Sequence, residues 1–219
     1  MHWLLLPIGS SDWGCGMGFL SVLSMAHKWI AERTSTGDIV IDATAGGGVD
    51  TYTLAELVGP KGTVYAFDIQ QEALDRTAER LSALAGDNKL PALKLVLENH
   101  ARMAEEVDPS VIGQVSAVMF NLGYLPGSSD LTVITEPAST LAALDSAITV
   151  LRPGGIVTCV LYPGHPGGAE EAAAVEAWAA QLPQSLAQAV IYRQPQRHAA
   201  PYLIALEKRP LSVNGYRAG

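Results

Sequence analysis

The chain has 219 residues, is 48% hydrophobic and carries a formal net charge of −8 at pH 7. Its length and composition allow one domain with a substantial core. Its negative charge excludes a protein that coats nucleic acid by neutralising phosphates, so a nucleic-acid substrate would need a local basic patch. The two cysteines, Cys15 and Cys159, lie in no CxxC or His-rich spacing, which disfavours a disulfide framework and a metal site and indicates a reducing cytoplasm.

Residues 1–17 are predicted to form an extension outside the domain, either a disordered arm or an artefact of the start site. Their short apolar run lacks a basic beginning and reaches Pro7 and Gly9 too early for a signal sequence. The longest later apolar run is interrupted by His27 and Lys28, and it is shorter than the ~20 residues that a membrane span needs. We therefore expect no membrane partner.

Helix and strand patterns alternate along a single predicted domain, residues 18–209, which a short tail follows at residues 210–219. Helical spacing of apolar residues predicts helices over residues 19–34, 51–59, 71–86, 139–151 and 169–182. Apolar runs predict strands over residues 39–43, 62–69, 93–99, 116–124, 156–162, 189–194 and 202–208. The stretch RPGG is predicted to turn the chain into the fifth strand.

Continuous apolar strands that alternate with amphipathic helices indicate an α/β fold. Seven strands would form a mainly parallel sheet with helices on both faces. In such sheets, ligands bind beyond the carboxyl ends of the strands, where the winding direction reverses. The residues that follow the first four strands are therefore the candidates for chemistry.

The loop after the first predicted strand is rich in glycine. Gly46, Gly47 and Gly48 open a helix, where a backbone without Cβ atoms can approach a ligand and the helix amides point towards it. Asp68 ends the second strand, 22 positions after Gly46 (68 − 46). A carboxylate there can accept hydrogen bonds from both ribose hydroxyls of an adenosine group. The loop and the acid together predict a nucleotide-like cofactor.

Charge indicates which cofactor this loop would bind. The dinucleotide fingerprint G-x-G-x-x-G fails at Thr51, and Asp42 would face the pyrophosphate of NAD. A cofactor with a cationic amino group and a sulfonium suits Asp42 and Asp50, and S-adenosyl-L-methionine is such a molecule. Two plainer interpretations stay open. Asp50 would only favour the positive end of the helix, and Asp42 would only cap a turn.

Five stretches together carry a family resemblance: DATAGGGVDT, VYAFDIQ, NLGYLPG, LRPGG and YPGHPGG. In this order they resemble the signature of a bacterial family of class I S-adenosylmethionine-dependent methyltransferases. The family is named for rRNA methylation, and its characterised members methylate the wobble uridine of tRNA. The resemblance covers residues 19–208. It implies a Rossmann-like class I methyltransferase fold and methylation of the amine of 5-aminomethyl-2-thiouridine.

The resemblance also implies which residues surround the cofactor. They lie at or after the ends of the first three strands. The methionine part would be surrounded by Asp42, Gly46, Gly47, Gly48 and Asp50. The ribose and neighbouring adenine would contact Asp68 and Gln70, and the adenine side would contact Asn99 and His100. The chain departs from the family pattern at Gly47, Val49 and Asn99, where Asn, His and Ser are common. These departures remove side-chain donors from the cofactor loop.

The reacting end of the site is predicted to follow the fourth and fifth strands. Asn121 begins the stretch NLGY, which resembles the N/D-P-P-Y/F/W motif of amino-methyltransferases, where the amide oxygen and the next carbonyl accept hydrogen bonds from the substrate amine. Tyr124 would stack on the base, and His165 would position substrate or accept a proton. The alternatives are that Asn121 only forms a turn, that Tyr124 only packs against its neighbours, and that His165 is a loop histidine without a role in the reaction. His27 is predicted to be a satisfied core histidine.

The predicted substrate is tRNA or another RNA, with no DNA partner, and the protein is expected to be a monomer or a homodimer. The candidate contacts with RNA phosphates are Lys28, Arg33, Arg193, Arg197, His198 and Lys208. For each of them the alternative is an ordinary solvated surface charge. Two other functions stay open. One is S-adenosylmethionine-dependent methylation of a small molecule, and the other is a domain that binds this cofactor without catalysis.

Overall fold

The computed structural model describes residues 18–85, 90–123 and 137–210. Its strands are β1 Ile39–Asp42, β2 Thr63–Asp68, β3 Ala92–Leu97, β4 Val115–Leu122, β5 Leu151–Leu161, β6 Ala187–Tyr192 and β7 Tyr202–Lys208. Its α-helices are α1 Val22–Ala31, α2 Val49–Val58, α3 Gln71–Ala85, α4 Met103–Glu106, α5 Pro137–Val150 and α6 Gly168–Gln181. Within this described part, none of the helices combines the length and the apolar character that crossing a membrane requires.

The seven strands lie in one sheet in the order β3-β2-β1-β4-β5-β7-β6. The strands β1 to β5 run parallel to one another, and β7 is antiparallel to both β5 and β6. The predicted α/β fold with a seven-stranded, mainly parallel sheet is confirmed. The winding direction reverses between β1 and β4, so the carboxyl ends of these two strands border a crevice.

Alternate residues of the central strands build a core on each face of the sheet. Ile41 and Phe120 belong to the cluster that α5 and α6 cover. The neighbouring residues Val40 and Met119 belong to the cluster that α1 and α2 cover on the opposite face. A parallel strand buried on both faces must be apolar throughout, which is why these strands read as continuous apolar runs.

The beginning of α1 differs from the prediction. The helix starts at Val22, because the side chain of Ser21 accepts a hydrogen bond from the backbone N of Ser24 (3.1 Å) and caps the first turn. Phe19 therefore lies outside the helix and is 88% exposed, although helical spacing predicts it on the apolar face. The cap, rather than the apolar pattern, decides where the helix begins.

The stretch RPGG also differs from the prediction. It lies inside β5 as a bulge, since the pairing with β4 passes from Val115 and Leu151 directly to Ala117 and Ile156. Gly155 is confined there, because a Cβ atom would lie 3.0 Å from the carbonyl oxygen of Val115. The bulge lies at the edge opposite the crevice, so it leaves the candidate site unchanged.

Gly48 is tightly packed in the loop that contains Gly46, Gly47 and Gly48, which we call the glycine loop. Its φ is +74°, and a Cβ atom would lie 2.8 Å from the Cα of Thr77 on α3. Gly48→Ala is expected to lower the free energy of unfolding by about 2–4 kcal/mol, because the left-handed backbone and the steric clash both penalise a side chain. Urea denaturation measures the loss. Gly47→Ala is the matched control, since nothing lies within 4 Å of its Cβ position, and an equal loss there would contradict this explanation.

Candidate active site

The glycine loop lies at the carboxyl end of β1 and is tied to the end of β2. The backbone N of Gly46 donates to Asp68 Oδ2 (3.0 Å), and the backbone N of Gln70 donates to Asp68 Oδ1 (2.9 Å). These two amides hold the carboxylate in one orientation. Each carboxylate oxygen has a second lone pair, so half-buried Asp68 can still accept hydrogen bonds from a ligand in the crevice.

Asp42 lies beneath the loop. Its fully buried carboxylate accepts hydrogen bonds from the backbone N of Thr44 (3.0 Å) and from Thr51 Oγ1 (2.6 Å). Asp42 therefore caps a turn, which is one of the interpretations that the sequence left open, and its buried carboxylate holds the loop. Burial, with repulsion from Asp50 as the next cause, raises the pKa of Asp42 to about 7.

Asp42→Asn is expected to change how stability depends on pH. The pKa of Asp42 is about 7 in the folded protein against an ordinary value of 3.8, so the folded state binds this proton more tightly than the unfolded state does. This contribution to the free energy of unfolding is therefore present at low pH and is lost as the pH rises towards the folded pKa. Asparagine does not ionise. Relative to wild type, the variant should gain up to about 4 kcal/mol across this window and then level off.

Urea denaturation at several pH values tests this prediction for Asp42→Asn. The informative quantity is the difference in the free energy of unfolding between variant and wild type, because contributions of other titrating groups cancel in it. A difference that stays constant across the window would show that Asp42 does not titrate there.

Four polar side chains, His27, Asp50, Asn121 and Tyr162, form a continuous hydrogen-bonded chain at the carboxyl edge of the sheet. Asp50, in the first turn of α2, is 6% exposed. Its Oδ1 lies 2.7 Å from His27 Nε2, and its Oδ2 accepts from Asn121 Nδ2 (2.9 Å). Asn121 Oδ1 in turn accepts from the Tyr162 hydroxyl (2.7 Å). Because a carboxylate only accepts, the hydrogen on His27 is placed on Nε2. We call this set the polar chain.

The position of Asn121 at the end of β4 is set from several sides. Its backbone N donates to Thr44 Oγ1 (2.8 Å), in addition to the two side-chain contacts in the polar chain. One lone pair of its amide oxygen is thus already used by Tyr162, whereas the family resemblance implies an oxygen that serves the substrate. Asp50 is the charged acceptor beside it. Tyr124, predicted to stack on the base, lies outside the described residues.

The structure brings His165 to the same rim as the polar chain. Its ring stacks on Tyr162, with the centroids 4.9 Å apart and the planes at 13°. Sequence reasoning missed Tyr162, although its place directly after β5 was a usable signal. His27 is mostly buried, as predicted for a core histidine, but its partner is Asp50 and it belongs to the polar chain.

Asn99 and His100 follow β3. The Asn99 side chain accepts from a backbone N and caps the short 3-10 turn that comes next. His100 is buried, and its Nδ1 lies 3.2 Å from the carbonyl oxygen of Ala43. Burial lowers the pKa of His100, which favours the neutral ring. Its Nε2 is buried and has no hydrogen-bond partner in the described part of the chain.

The electrostatic character of the loop region is acidic. Asp42, Asp50 and Asp68 all contact the loop or its flanking elements, and Arg80 contributes one donor, to the carbonyl oxygen of Gly47. Across residues 18–85, 90–123 and 137–210, no group of three or more His, Cys, Asp or Glu side chains is arranged to hold a metal ion. Carboxylates arranged in this way suit a cationic organic ligand.

Comparison with known proteins places the chain in a family. The family model described as "Putative rRNA methylase" matches residues 64–207 of the chain. The chain is 39% identical over 190 residues to the chloroplastic tRNA (mnm(5)s(2)U34)-methyltransferase of Arabidopsis thaliana, which covers 84% of this chain and 68% of that relative.

Two solved structures resemble most of the chain. A putative rRNA methylase from Clostridium thermocellum superimposes with a TM-score of 0.80 at 35% identity, covering 88% of this chain and 100% of the other. A putative methyltransferase from Streptococcus mutans, solved in complex with SAH, gives a TM-score of 0.74 at 32% identity, covering 87% and 99%. The family, fold and cofactor expected from the sequence are confirmed. The chain therefore belongs to the family described as putative rRNA methylase, and it is an S-adenosylmethionine-dependent methyltransferase.

Proposed function

We propose that this protein methylates the amine of 5-aminomethyl-2-thiouridine at the wobble position of tRNA. The relative from Arabidopsis thaliana that matches 84% of the chain is named for this tRNA position. The observation that carries the proposal is the buried carboxylate of Asp50, held between His27 and Asn121 next to the glycine loop. It provides a fixed negative charge at the place where a cationic amine and a cationic methyl donor would meet.

The residues around the glycine loop fit S-adenosylmethionine. Asp68 retains lone pairs for the ribose hydroxyls, and the neighbouring Ile69, which is 54% exposed, offers an apolar surface to the adenine. The Nε2 of His100, which has no hydrogen-bond partner among the described residues, is a buried polar atom that a ligand on the adenine side can satisfy. Asp50 complements the charged methionine end. When bound, the cofactor would supply a methyl group from its cationic sulfur, and the sulfur would be left in a neutral thioether.

The substrate amine has to lose a proton before methyl transfer, because an alkylamine is an ammonium ion at neutral pH. The nitrogen lone pair would then be free to take the methyl group that the cofactor supplies, and the methylated product would be a secondary ammonium. A protein group that attracts the ammonium and takes its proton would promote this step.

We assign this task to the pair of Asp50 and His27. The Asp50 carboxylate attracts the ammonium, and His27 Nε2 donates to that carboxylate, which leaves Nδ1 as the basic atom of the ring. In this role Nδ1 would accept the proton while Nε2 keeps its hydrogen bond to Asp50, and Tyr162 and Thr44 keep Asn121 in place beside the pair.

The experiment supplies labelled S-adenosylmethionine and either tRNA that carries the unmethylated amine or a metabolite extract. Label in tRNA, located by nucleoside mass spectrometry in the methylaminomethyl form of the wobble uridine, is the expected result. Label only in the metabolite pool would favour a small-molecule methyltransferase, which the net charge of −8 suits. Cofactor binding without transfer to either pool would favour a non-catalytic binding domain.

A further inference from the structure

The connection between β6 and β7, residues 193–201, emerges at the same edge of the sheet as the polar chain. Leu161 at the end of β5 pairs with Tyr202 at the start of β7, and Tyr192 at the end of β6 pairs with Leu203. Because β5 is parallel to β4, and β4 to β1, the end of β5 lies at the edge that carries the crevice. The β6–β7 connection therefore borders the opening of the site.

This connection packs against the loop that carries His165. A Cβ atom on Gly164 would lie 2.9 Å from the carbonyl oxygen of Ala199, so the two loops are in close contact. His165 stacks on Tyr162, and the hydroxyl of Tyr162 donates to Asn121. The connection is thus separated from the reacting end of the site by a single loop.

Two basic side chains of the connection, Arg197 and His198, are exposed and available. In the described part of the chain, neither side chain makes a hydrogen bond or an ion pair. Arg193, at the base of the connection, is engaged instead: its guanidinium lies 5.3 Å from the centroid of the Tyr202 ring and 3.4 Å from the carboxylate of Glu176. Positive charge at the outer part of the connection is therefore available to a partner.

Two other candidate phosphate contacts, Arg33 and Lys208, are engaged at the opposite edge of the sheet. Arg33 pairs with Glu207 (2.8 Å), and Lys208 donates to the carbonyl oxygen of Leu151 (2.7 Å). These residues lie near the beginning of β5 and the end of β7, away from the crevice. Because the chain carries a formal net charge of −8, a cation beside the site that has no ion pair among the described residues has a strong influence on where RNA binds.

An open depression of the surface lies at the connection, lined by Arg197, Ala199, Ala200 and Pro201. The other three lining residues are small and uncharged, so the guanidinium is the charged group that a ligand would meet there.

We propose that the β6–β7 connection is the RNA-contact surface of this protein, where Arg197 and His198 bind phosphates next to the methylated nucleotide. This inference rests on the proposed function, because it requires an RNA substrate. A guanidinium binds phosphate oxygens through two parallel hydrogen bonds. Contacts of this kind hold the strand in place without reading its bases, so the nucleoside itself would be recognised in the crevice.

The test compares Arg197→Ala with Arg209→Ala, an exposed arginine at the opposite edge that donates to Gln188. The probe is a synthetic RNA stem–loop with 5-aminomethyl-2-thiouridine in its loop, titrated at several KCl concentrations. Arg197→Ala is expected to weaken RNA binding about tenfold. The negative slope of log K against log salt should also become shallower, by about 0.7–0.9, because one phosphate contact is lost. Its affinity for S-adenosylmethionine should stay unchanged, and Arg209→Ala should match wild type.

The outcomes separate this inference from the proposed function. If wild type methylates the stem–loop and Arg197→Ala behaves like Arg209→Ala, the inference is overturned and the proposed function stands. Weaker binding by Arg197→Ala with an unchanged salt slope would also overturn it, because a lost phosphate contact must alter that slope. If wild type neither binds nor methylates the stem–loop, the proposed function falls and this inference falls with it.

Discussion

Asp50→Asn is expected to lower kcat for methylation of the RNA stem–loop by about 100- to 1,000-fold. The substitution keeps the shape of the side chain but removes the charge that lies 2.7 Å from His27 Nε2 and 2.9 Å from Asn121 Nδ2. Without it, the site attracts the ammonium less and orients the His27 ring less well. The variant should fold, because Asp50 repels the buried Asp42 in the wild type. Single-turnover kinetics at saturating cofactor measure the loss.

Glu56→Gln is the matched control for Asp50→Asn, since it makes the same change of charge on the same helix. Glu56 is exposed and accepts a hydrogen bond from the Tyr52 hydroxyl (3.0 Å), so its loss should leave kcat near the wild-type value. If Asp50→Asn had the same kcat as wild type, the polar chain would have no role in the reaction.

His27→Gln separates proton transfer from structural support. Glutamine can still donate a hydrogen bond to Asp50 but cannot take up a proton. Its loss of rate is therefore expected to shrink as the pH rises, because a larger share of the substrate amine is then already neutral. A loss that is the same at every pH would leave His27 with a structural role only.

Asp68→Asn is expected to raise the Kd for S-adenosylmethionine about 100-fold, which corresponds to about 3 kcal/mol. Hydrogen bonds from the ribose hydroxyls to a charged acceptor are worth about 1.5–3 kcal/mol each. The amide would also place an NH₂ group towards one of the two backbone donors that now hold the carboxylate, those of Gly46 and Gln70. Titration calorimetry measures the change. Asp75→Asn on α3, an exposed acceptor for the Gln71 side chain, should leave the Kd unchanged.

A comparison of S-adenosylmethionine with S-adenosylhomocysteine distinguishes the two carboxylates. Both ligands carry the same ribose, so Asp68→Asn should weaken them equally. Asp50→Asn should weaken the cationic donor more than the neutral thioether, because only the donor has a charged sulfur. If each variant lost the same affinity for S-adenosylmethionine as for S-adenosylhomocysteine, the proposed separate roles of Asp50 and Asp68 would be contradicted.

The sequence by itself determined the framework and the cofactor loop. Continuous apolar runs predicted a parallel sheet covered on both faces, and the pairing of strands confirmed it. The glycines after β1 and the acid that ends β2 were predicted to act together, and the structure joins Gly46 to Asp68 at 3.0 Å. Both features could be recognised because they depend on residues that are adjacent along the chain or that follow neighbouring strands in a regular pattern.

Only the tertiary structure decided the membership of the polar chain and the placement of the basic residues. His27 lies 23 positions from Asp50, Asn121 lies 71 positions from Asp50, and Tyr162 lies 41 positions from Asn121. Periodicity predicts that His27 points inwards, but its partner depends on how α1 packs beside α2. In the same way, Arg197 looks like any other surface arginine in the sequence. The reason is that local patterns determine which face of an element is buried, whereas a contact at 3 Å is set by the packing of elements from distant parts of the chain.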